Sequence, residues 1–309
     1  MAARVAVVVP CLDEATTVAG VVAAFRAALP DAAIHVFDNA SADDTAACAA
    51  AAGARVHRVE LPGKAQVMRR AFADVDADVY VMVDGDGTYD AATAPELVRL
   101  VAEQGVDMAV GRRVPTDAGA WRPGHRAGNR WLRGGLSLLF GRDCGDLFSG
   151  YRALSRRCVK SFPVLSSGFA IETELTVHAL ELAMPVAERE TAYRPRPAGS
   201  ESKLATVGDG TRVLRTMLGL FVAERPLAVY GTTAAALASA ALALAAPLLP
   251  TYLETGLVPR FPTAILATGL AILAALSLTA GLVLHTVTRG RREQKLLAYL
   301  AVPALPGER

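Results

Sequence analysis

Apolar and polar residues follow two different rhythms along this chain. In the first half, short β-branched runs recur between Ala-rich stretches of helical periodicity, and residues 4–10, 34–38, 55–60, 79–84 and 108–112 read as strands. That alternation predicts an α/β fold: a Rossmann-like, mostly parallel sheet with helices on both faces, since parallel neighbours need crossovers and each sheet face must be covered. A further helix is expected over residues 171–183 and a strand over 186–193, followed by a Pro-, Gly- and Ser-rich loop over 194–202. Beyond it, Val213, Leu214, Met217, Leu218 and Phe221 form a helical stripe beside Arg212 and Arg215. This predicts an amphipathic helix, lying on a membrane surface or packed on the soluble domain.

The second rhythm is an unbroken apolar one. Residues 226–253 contain no charged side chain and neither do residues 261–288, so each window supplies the roughly 20 apolar residues of a spanning helix. Arg289, Arg291, Arg292 and Lys295 follow the second window, whereas the loop between the two carries only Glu254 and Arg260. The positive-inside bias therefore puts both chain ends in the cytoplasm. Met1 to Arg4 leads straight into a strand without the pattern of a signal peptide, so the first two hundred residues are expected to stay cytoplasmic. The expected organisation is a catalytic domain over 1–205, a juxtamembrane helix over 206–225, two spans over 226–288 and a tail over 289–309. Small residues at four-residue intervals, Gly231, Ala235 and Ser239 and again Ala267, Ala271 and Ala275, permit close helix packing and allow a homo-oligomer.

Composition changes this picture little. The 309 residues carry a net charge of +2 with 52% hydrophobic and 6% aromatic residues, which gives no sign of nucleic-acid binding. Cys11, Cys48, Cys144 and Cys158 lack metal-ligand spacing and read as reduced, ordinary thiols. The chemistry lies in the acidic residues. Asp13 and Glu14 follow the first expected strand, Asp38 ends the second, and Asp84-Gly85-Asp86 closes the fourth. Carboxylates converging on the carboxyl rim of a parallel sheet repel one another unless a cation sits among them, and spaced carboxylates at a strand end can hold a hard divalent ion that bridges a diphosphate.

Three runs, Val7-Val8-Val9-Pro10-Cys11-Leu12-Asp13-Glu14, Phe37-Asp38-Asn39-Ala40-Ser41-Ala42-Asp43-Asp44-Thr45 and the Asp84 motif, resemble in order and spacing the family-2 glycosyltransferases. Gly111-Arg112-Arg113, Asp146-Leu147-Phe148-Ser149-Gly150-Tyr151-Arg152 and Gly199-Ser200-Glu201-Ser202-Lys203-Leu204 look like marks of the polyprenyl-phosphate and dolichyl-phosphate sugar synthases within it. The resemblance covers nearly the whole chain. It implies a GT-A fold and inverting transfer from a nucleotide sugar, a UDP-sugar preferred over GDP-mannose, to a polyprenyl or dolichyl phosphate at the cytoplasmic membrane face. It also implies that Pro10, Leu12, Glu14, Asp38, Asp84 and Gly85 bind the nucleotide and Asp86 the metal, Mg2+ or Mn2+. Arg196 and Lys203 would close over the donor, with Arg194 as an alternative to Arg196, and Arg113, Arg126 and Arg152 would receive the acceptor phosphate.

Asp146 is the candidate base or orienting group, a carboxylate paired with Arg152 being the alternative, and Glu172 rather than Glu174 is expected to enter the site. His125 and His178 read as a surface or core histidine. Two other readings stand beside this one. A processive polysaccharide synthase would need a Gln-x-x-Arg-Trp motif, but Ala127 precedes Arg130-Trp131. A non-catalytic membrane scaffold would have no need of Asp86 and Lys203.

Overall fold

The first strand is buried on both sides, as a central parallel strand requires. In β1 (Val5–Cys11), Val7 and Val9 enter one core and Ala6 and Val8 the other. The computed structural model describes residues 3–116, 134, 145–164, 171–197, 219 and 221–305. Within them β1 pairs in parallel with β2 (Ala33–Asp38) and β4 (Val79–Met82), and β2 in parallel with β3 (Arg55–Arg58). The sheet of seven described strands has the order β3-β2-β1-β4-β6-β5-β7. It is completed by β5 (Met108–Pro115), β6 (Arg152–Ser155) and β7 (Val186–Tyr193).

The short strand β6 is not legible as a strand in the sequence. It runs antiparallel to both β4 and β5, so the sheet is mixed, while β5 and β7 pair in parallel. Six of the described strands therefore point one way. Helices α1 (Val18–Ala28), α2 (Thr45–Ala51) and α4 (Ala94–Ala102) bury Phe25, Ala49 and Leu97 against one face. On the other, α3 (Lys64–Asp74), α5 (Arg156–Ser161) and α6 (Ile171–Glu181) bury Met68, Val159 and Leu175. The helix expected over 171–183 ends where Ala183 adopts a φ of 53°. Cys11 and Cys158 are buried and unpaired, Cys48 is half-buried, and Cys144 lies outside the described residues.

The chain divides into two units, one of Met1–Asp209 with Gln294–Arg309 and one of Gly210–Glu293. The second unit contains α7 (Pro226–Ala245), α8 (Leu248–Thr255) and the greater part of α9 (Phe261–Leu300). Its two long apolar stretches have mean hydropathies of 1.7 and 2.1 yet are only 11% and 17% buried, so they fit transmembrane spans. The seam between these helices is built on small residues, but not at the expected four-residue interval. Ala267, Ala274, Gly281 and Thr288, the buried residues of α9, recur every seven residues, Gly281 lies against Leu227, Tyr230 and Gly231 of α7, and Ser277 Oγ donates to Tyr230 O at 2.9 Å. Ala271 and Ala275 face outward. The expected amphipathic stripe falls almost wholly outside the described residues.

Two histidines of the first unit are held uncharged. Burial, reinforced by His57 and Arg55, lowers the His35 pKa from 6.5 to about 4. His178 stands in the core, its Nε2 2.9 Å from Ser161 Oγ, and burial followed by the Lys295 charge lowers it from 6.5 to about 3. A depressed histidine pKa means that the unfolded chain takes up protons first, so the contribution of these two groups to stability is constant above pH 6.5 and falls as pH drops from there towards 4 for His35 and 3 for His178. Thermal unfolding followed against pH is expected to give that acid slope, and His178→Gln to remove part of it.

Candidate active site

Because six described strands run one way, their carboxyl ends share one edge, where sheets of this kind bind ligands. Cys11 and Asp38, paired in register at the ends of β1 and β2, lie there with the residues that follow β4, β5 and β7. Asp13 turns the loop after β1 with a φ of 49°, a conformation that aspartate tolerates better than most residues. Its N–H donates to Ser41 Oγ at 2.9 Å and its carboxylate accepts from Ala42 N at 2.8 Å, tying the β1 and β2 loops together. Glu14 is buried beneath that knot, with its backbone N–H donating to Thr45 Oγ1 at 2.8 Å, and Asp38 accepts from Ser41 N at 3.2 Å. Pro10 and Leu12 are half-buried on the same rim.

Asn39 and Lys64 are site residues that the sequence reading missed. Asn39 Nδ2 donates to Val59 O and Leu61 O at 3.0 and 2.7 Å, and its Oδ1 accepts from Gly63 N at 2.7 Å. This clamp fixes the start of α3. Lys64, the first residue of that helix, then bridges the Asp84 and Glu172 carboxylates with close ion pairs to both. Burial alone would lower the Lys64 pKa, but the two carboxylates outweigh it and raise it, so the ammonium stays charged. The only local mark of Lys64 in the sequence, a basic residue after a glycine at a helix start, is too common to single it out. Glu172, at the first turn of α6, is the glutamate that meets Lys64, where helix spacing alone required only that Glu172 and Glu174 face different ways.

Asp86 is almost as confined as Asp38, with 3% of its surface exposed against 2%. Its Oδ1 accepts from Thr88 N at 3.1 Å and Thr88 Oγ1 at 2.7 Å, and its Oδ2 lies 2.7 Å from Arg196 Nη2. Burial and then the Asp84 charge raise its pKa. Arg196 also stands 4.0 Å from Glu14, whereas Arg194 is held by its backbone N–H on Thr88 O at 2.9 Å. Of the two candidate arginines, Arg196 is the one that faces the carboxylates. Gly85 lies so close to Cys11 Sγ that a Cβ would collide with it, and a Cβ at Gly150 would strike the Asp84 carboxylate. Both glycines are therefore imposed by close approach.

On the other side of the rim, Arg113 makes a two-pronged pair with Asp146, Nε to Oδ2 at 2.6 Å and Nη2 to Oδ1 at 2.7 Å, and its guanidinium lies 5.3 Å from the centroid of the Tyr193 ring. Burial opposes the charge on Arg113, but Asp146 more than restores it and the pKa rises. Asp146 thus has an arginine partner, though not Arg152. The assignment of Arg152 to the acceptor phosphate needs correction. Its side chain is 0% exposed, and it donates to Ser149 O at 2.9 Å, Leu147 O at 2.8 Å and Thr176 Oγ1 at 2.8 Å. It holds the 146–151 loop in shape from inside. Lys203 and Arg126 lie outside the described residues. Among the described residues no three His, Cys, Asp or Glu side chains form a cluster that could hold a metal.

Residues 6–162 match the sequence profile of the family described as Glycosyl transferase family 2. The glycosyltransferase AglJ of Haloferax volcanii is 33% identical over 243 residues, 78% of this chain and 80% of that protein. A protein of Micrococcus luteus named undecaprenyl-phosphate mannosyltransferase is 26% identical over 217 residues, 65% of this chain and 88% of its own. Glucosyl-3-phosphoglycerate synthase of Mycobacterium tuberculosis, solved with Mn2+, uridine diphosphate and phosphoglyceric acid, superposes with a TM-score of 0.56 at 22% identity, over 72% of this chain and 78% of that one.

Lys64→Met would leave two partly buried carboxylates without the cation they share. Removing one partner of a buried ion pair costs about 3 kcal/mol or more, and denaturant unfolding of the variant should show a loss of that order. A Cβ at Gly85 meets Cys11 Sγ and should destabilise as well, with Cys11→Ala relieving the collision and restoring part of the loss.

Proposed function

The chain belongs to glycosyl transferase family 2, and from that membership we propose that it transfers a hexosyl or N-acetylhexosaminyl group from a nucleotide sugar to a polyprenyl or dolichyl phosphate at the cytoplasmic face of a membrane. A UDP-sugar is preferred to GDP-mannose as donor. The fold is GT-A, and the family reaction uses a nucleotide sugar. The observation that carries the reading is the confined Asp86 on a rim of carboxylates neutralised by Lys64 and Arg196.

A divalent cation, Mg2+ or Mn2+, fits Asp86 in a specific way. Mg2+ is commonly held by one or two carboxylates together with substrate phosphates, and the protein side of that set is what Asp86 offers. Mn2+ accompanies uridine diphosphate in the mycobacterial synthase. Bound there, the cation would offset the charge that develops on the departing diphosphate. The chain's own residues do the rest. Glu14, Asp38 and Asp84, with Pro10, Leu12 and Gly85, line the rim for base and ribose. Arg196 and Lys203 supply further positive charge to the leaving group, where it counts more in the transition state than in the ground state.

The acceptor phosphate is already anionic and needs positioning more than deprotonation. One of its oxygens bonds to the anomeric carbon as the bond from that carbon to the diphosphate oxygen breaks, which inverts the configuration. Arg113 and Arg126 orient the phosphate. Asp146, engaged with Arg113 through both oxygens, orients that arginine rather than carrying a proton. The lipid nature of the acceptor is supported by the name of the Micrococcus relative and by the two apolar helices. Gln294–Arg309 joins the same unit as the amino-terminal strands, which supports an even number of crossings and both ends on one side.

Full-length protein in detergent, given undecaprenyl phosphate, Mn2+ and a panel of UDP- and GDP-sugars, is expected to form a glycolipid. Asp86→Ala should lower turnover by about 1,000-fold. No product with any donor, from protein whose melting temperature still rises with UDP and Mn2+, would overturn the lipid-phosphate acceptor.

A further inference from the structure

The carboxyl-terminal segment reaches the edge of the sheet opposite the active site. Lys295 Nζ donates at 2.7 Å to Glu181, whose side chain is 2% exposed at the last residue of α6. The Tyr299 hydroxyl donates to Asp107 Oδ2 at 2.8 Å. Asp107, immediately before β5, also accepts from Ser155 Oγ at 2.6 Å. Arg157 lies 5.2 Å from the Tyr299 ring centroid and donates from Nε to Val302 O at 2.8 Å. Tyr299 packs against one core of the sheet and Leu305 against the other. A basic tail held only by anionic lipid would need no such directed contacts with buried carboxylates.

The two carboxylates that this segment grips belong to elements whose opposite ends form the site. Helix α6 begins with Glu172 against Lys64 and ends with Glu181 against Lys295. Strand β5 follows Asp107 and leads to Arg113 and its pair with Asp146. An 11-residue helix and an 8-residue strand are stiff over such lengths, so fixing one end restricts the other.

We propose that residues 294–305 are a positioning clamp for the transferase site, with Lys295 and Tyr299 as positioning residues that hold α6 and β5 and through them Glu172 and Arg113. The effect on catalysis rests on the function proposed above, whereas the clamp itself does not. It follows that the segment is a working part of the catalytic unit, in place of the separate cytoplasmic tail that the charge pattern alone suggests.

Hydrogen exchange read by mass spectrometry on the full chain in detergent tests this without reference to any substrate. Lys295→Ala is expected to speed exchange of the amides in Ile171–Glu181, and Tyr299→Phe of those in Met108–Pro115, by about tenfold, the scale of one lost charge-assisted bond, while Arg58→Ala at an exposed pair leaves both unchanged. The charge swap Glu181→Lys with Lys295→Glu should recover the protection that either single change loses. If exchange in α6 and β5 stays the same while residues 294–305 alone become labile, the segment is a passenger and the proposal fails. With an active preparation, the same variants should lower kcat several-fold at unchanged donor KM; a changed donor KM with unchanged kcat would count against the clamp even if the exchange result held.

Discussion

Like charges a few ångströms apart on a partly buried rim repel one another, and Glu14, Asp38, Asp84 and Asp86 are brought to one rim by strand direction alone. The rest of the site follows from the need to offset that repulsion. Lys64 enters from beneath, at the start of α3, and is shared by Asp84 and Glu172; Arg196 enters from the end of β7 and takes Asp86. Each cation comes from a different element, so the electrostatic balance also ties α3, α6 and β7 to the end of β4. Asn39 completes the arrangement without charge, by fixing the loop that delivers Lys64.

A second set of constraints is steric. The loop carrying Asp146 through Tyr151 passes so close to β4 and β5 that Gly150 has no room for a side chain beside Asp84, and Gly111 none beside the Tyr151 ring. Arg152 stabilises this loop from the core, where burial disfavours its charge and lowers its pKa while three oxygen acceptors compensate. The same short motif thus does two jobs. Its Asp146 orients Arg113 on the rim, and its Arg152 supports the backbone that presents Asp146.

Much of this was legible in the sequence, for reasons that individual residues make plain. Buried parallel strands announce themselves by continuous β-branched runs, as in Val7 to Val9 and Val79 to Val83, and the acidic residues just beyond them mark the rim. Strand β6 was not legible, because Arg-Ala-Leu-Ser has no strand composition and is made a strand only by the two neighbours between which it lies. Arg152 misled for a related reason. An arginine in a phosphate-binding motif and one buried in a core look alike until burial is known. Lys64 was missed since no local pattern distinguishes a lysine that bridges residues 20 and 108 positions away. The spacing of small residues in the apolar helices likewise suggested a four-residue seam, but the observed interval of seven belongs to the pair of helices and not to either alone.

The pairing of Arg196 with Asp86 sets a condition on how the proposed reaction can begin. Asp86 Oδ1 accepts from Thr88 and Oδ2 pairs with Arg196, so a divalent cation bound at Oδ2 would compete with the guanidinium for that oxygen. Displacing Arg196 would exchange one positive charge for two beside Asp84 and Asp86, whose mutual repulsion favours the higher charge. In the proposed reaction Arg196, displaced, would stay tethered beyond the end of β7 and would supply positive charge to the leaving group. A side chain that neutralises the empty rim is thus placed to neutralise the leaving group once donor and metal arrive. Since a ligand shifts an equilibrium only by its difference in affinity between two states, the proposed reaction would couple donor and metal binding to the release of Arg196 from Asp86, and the strength of that ion pair would then help to set the affinity of both.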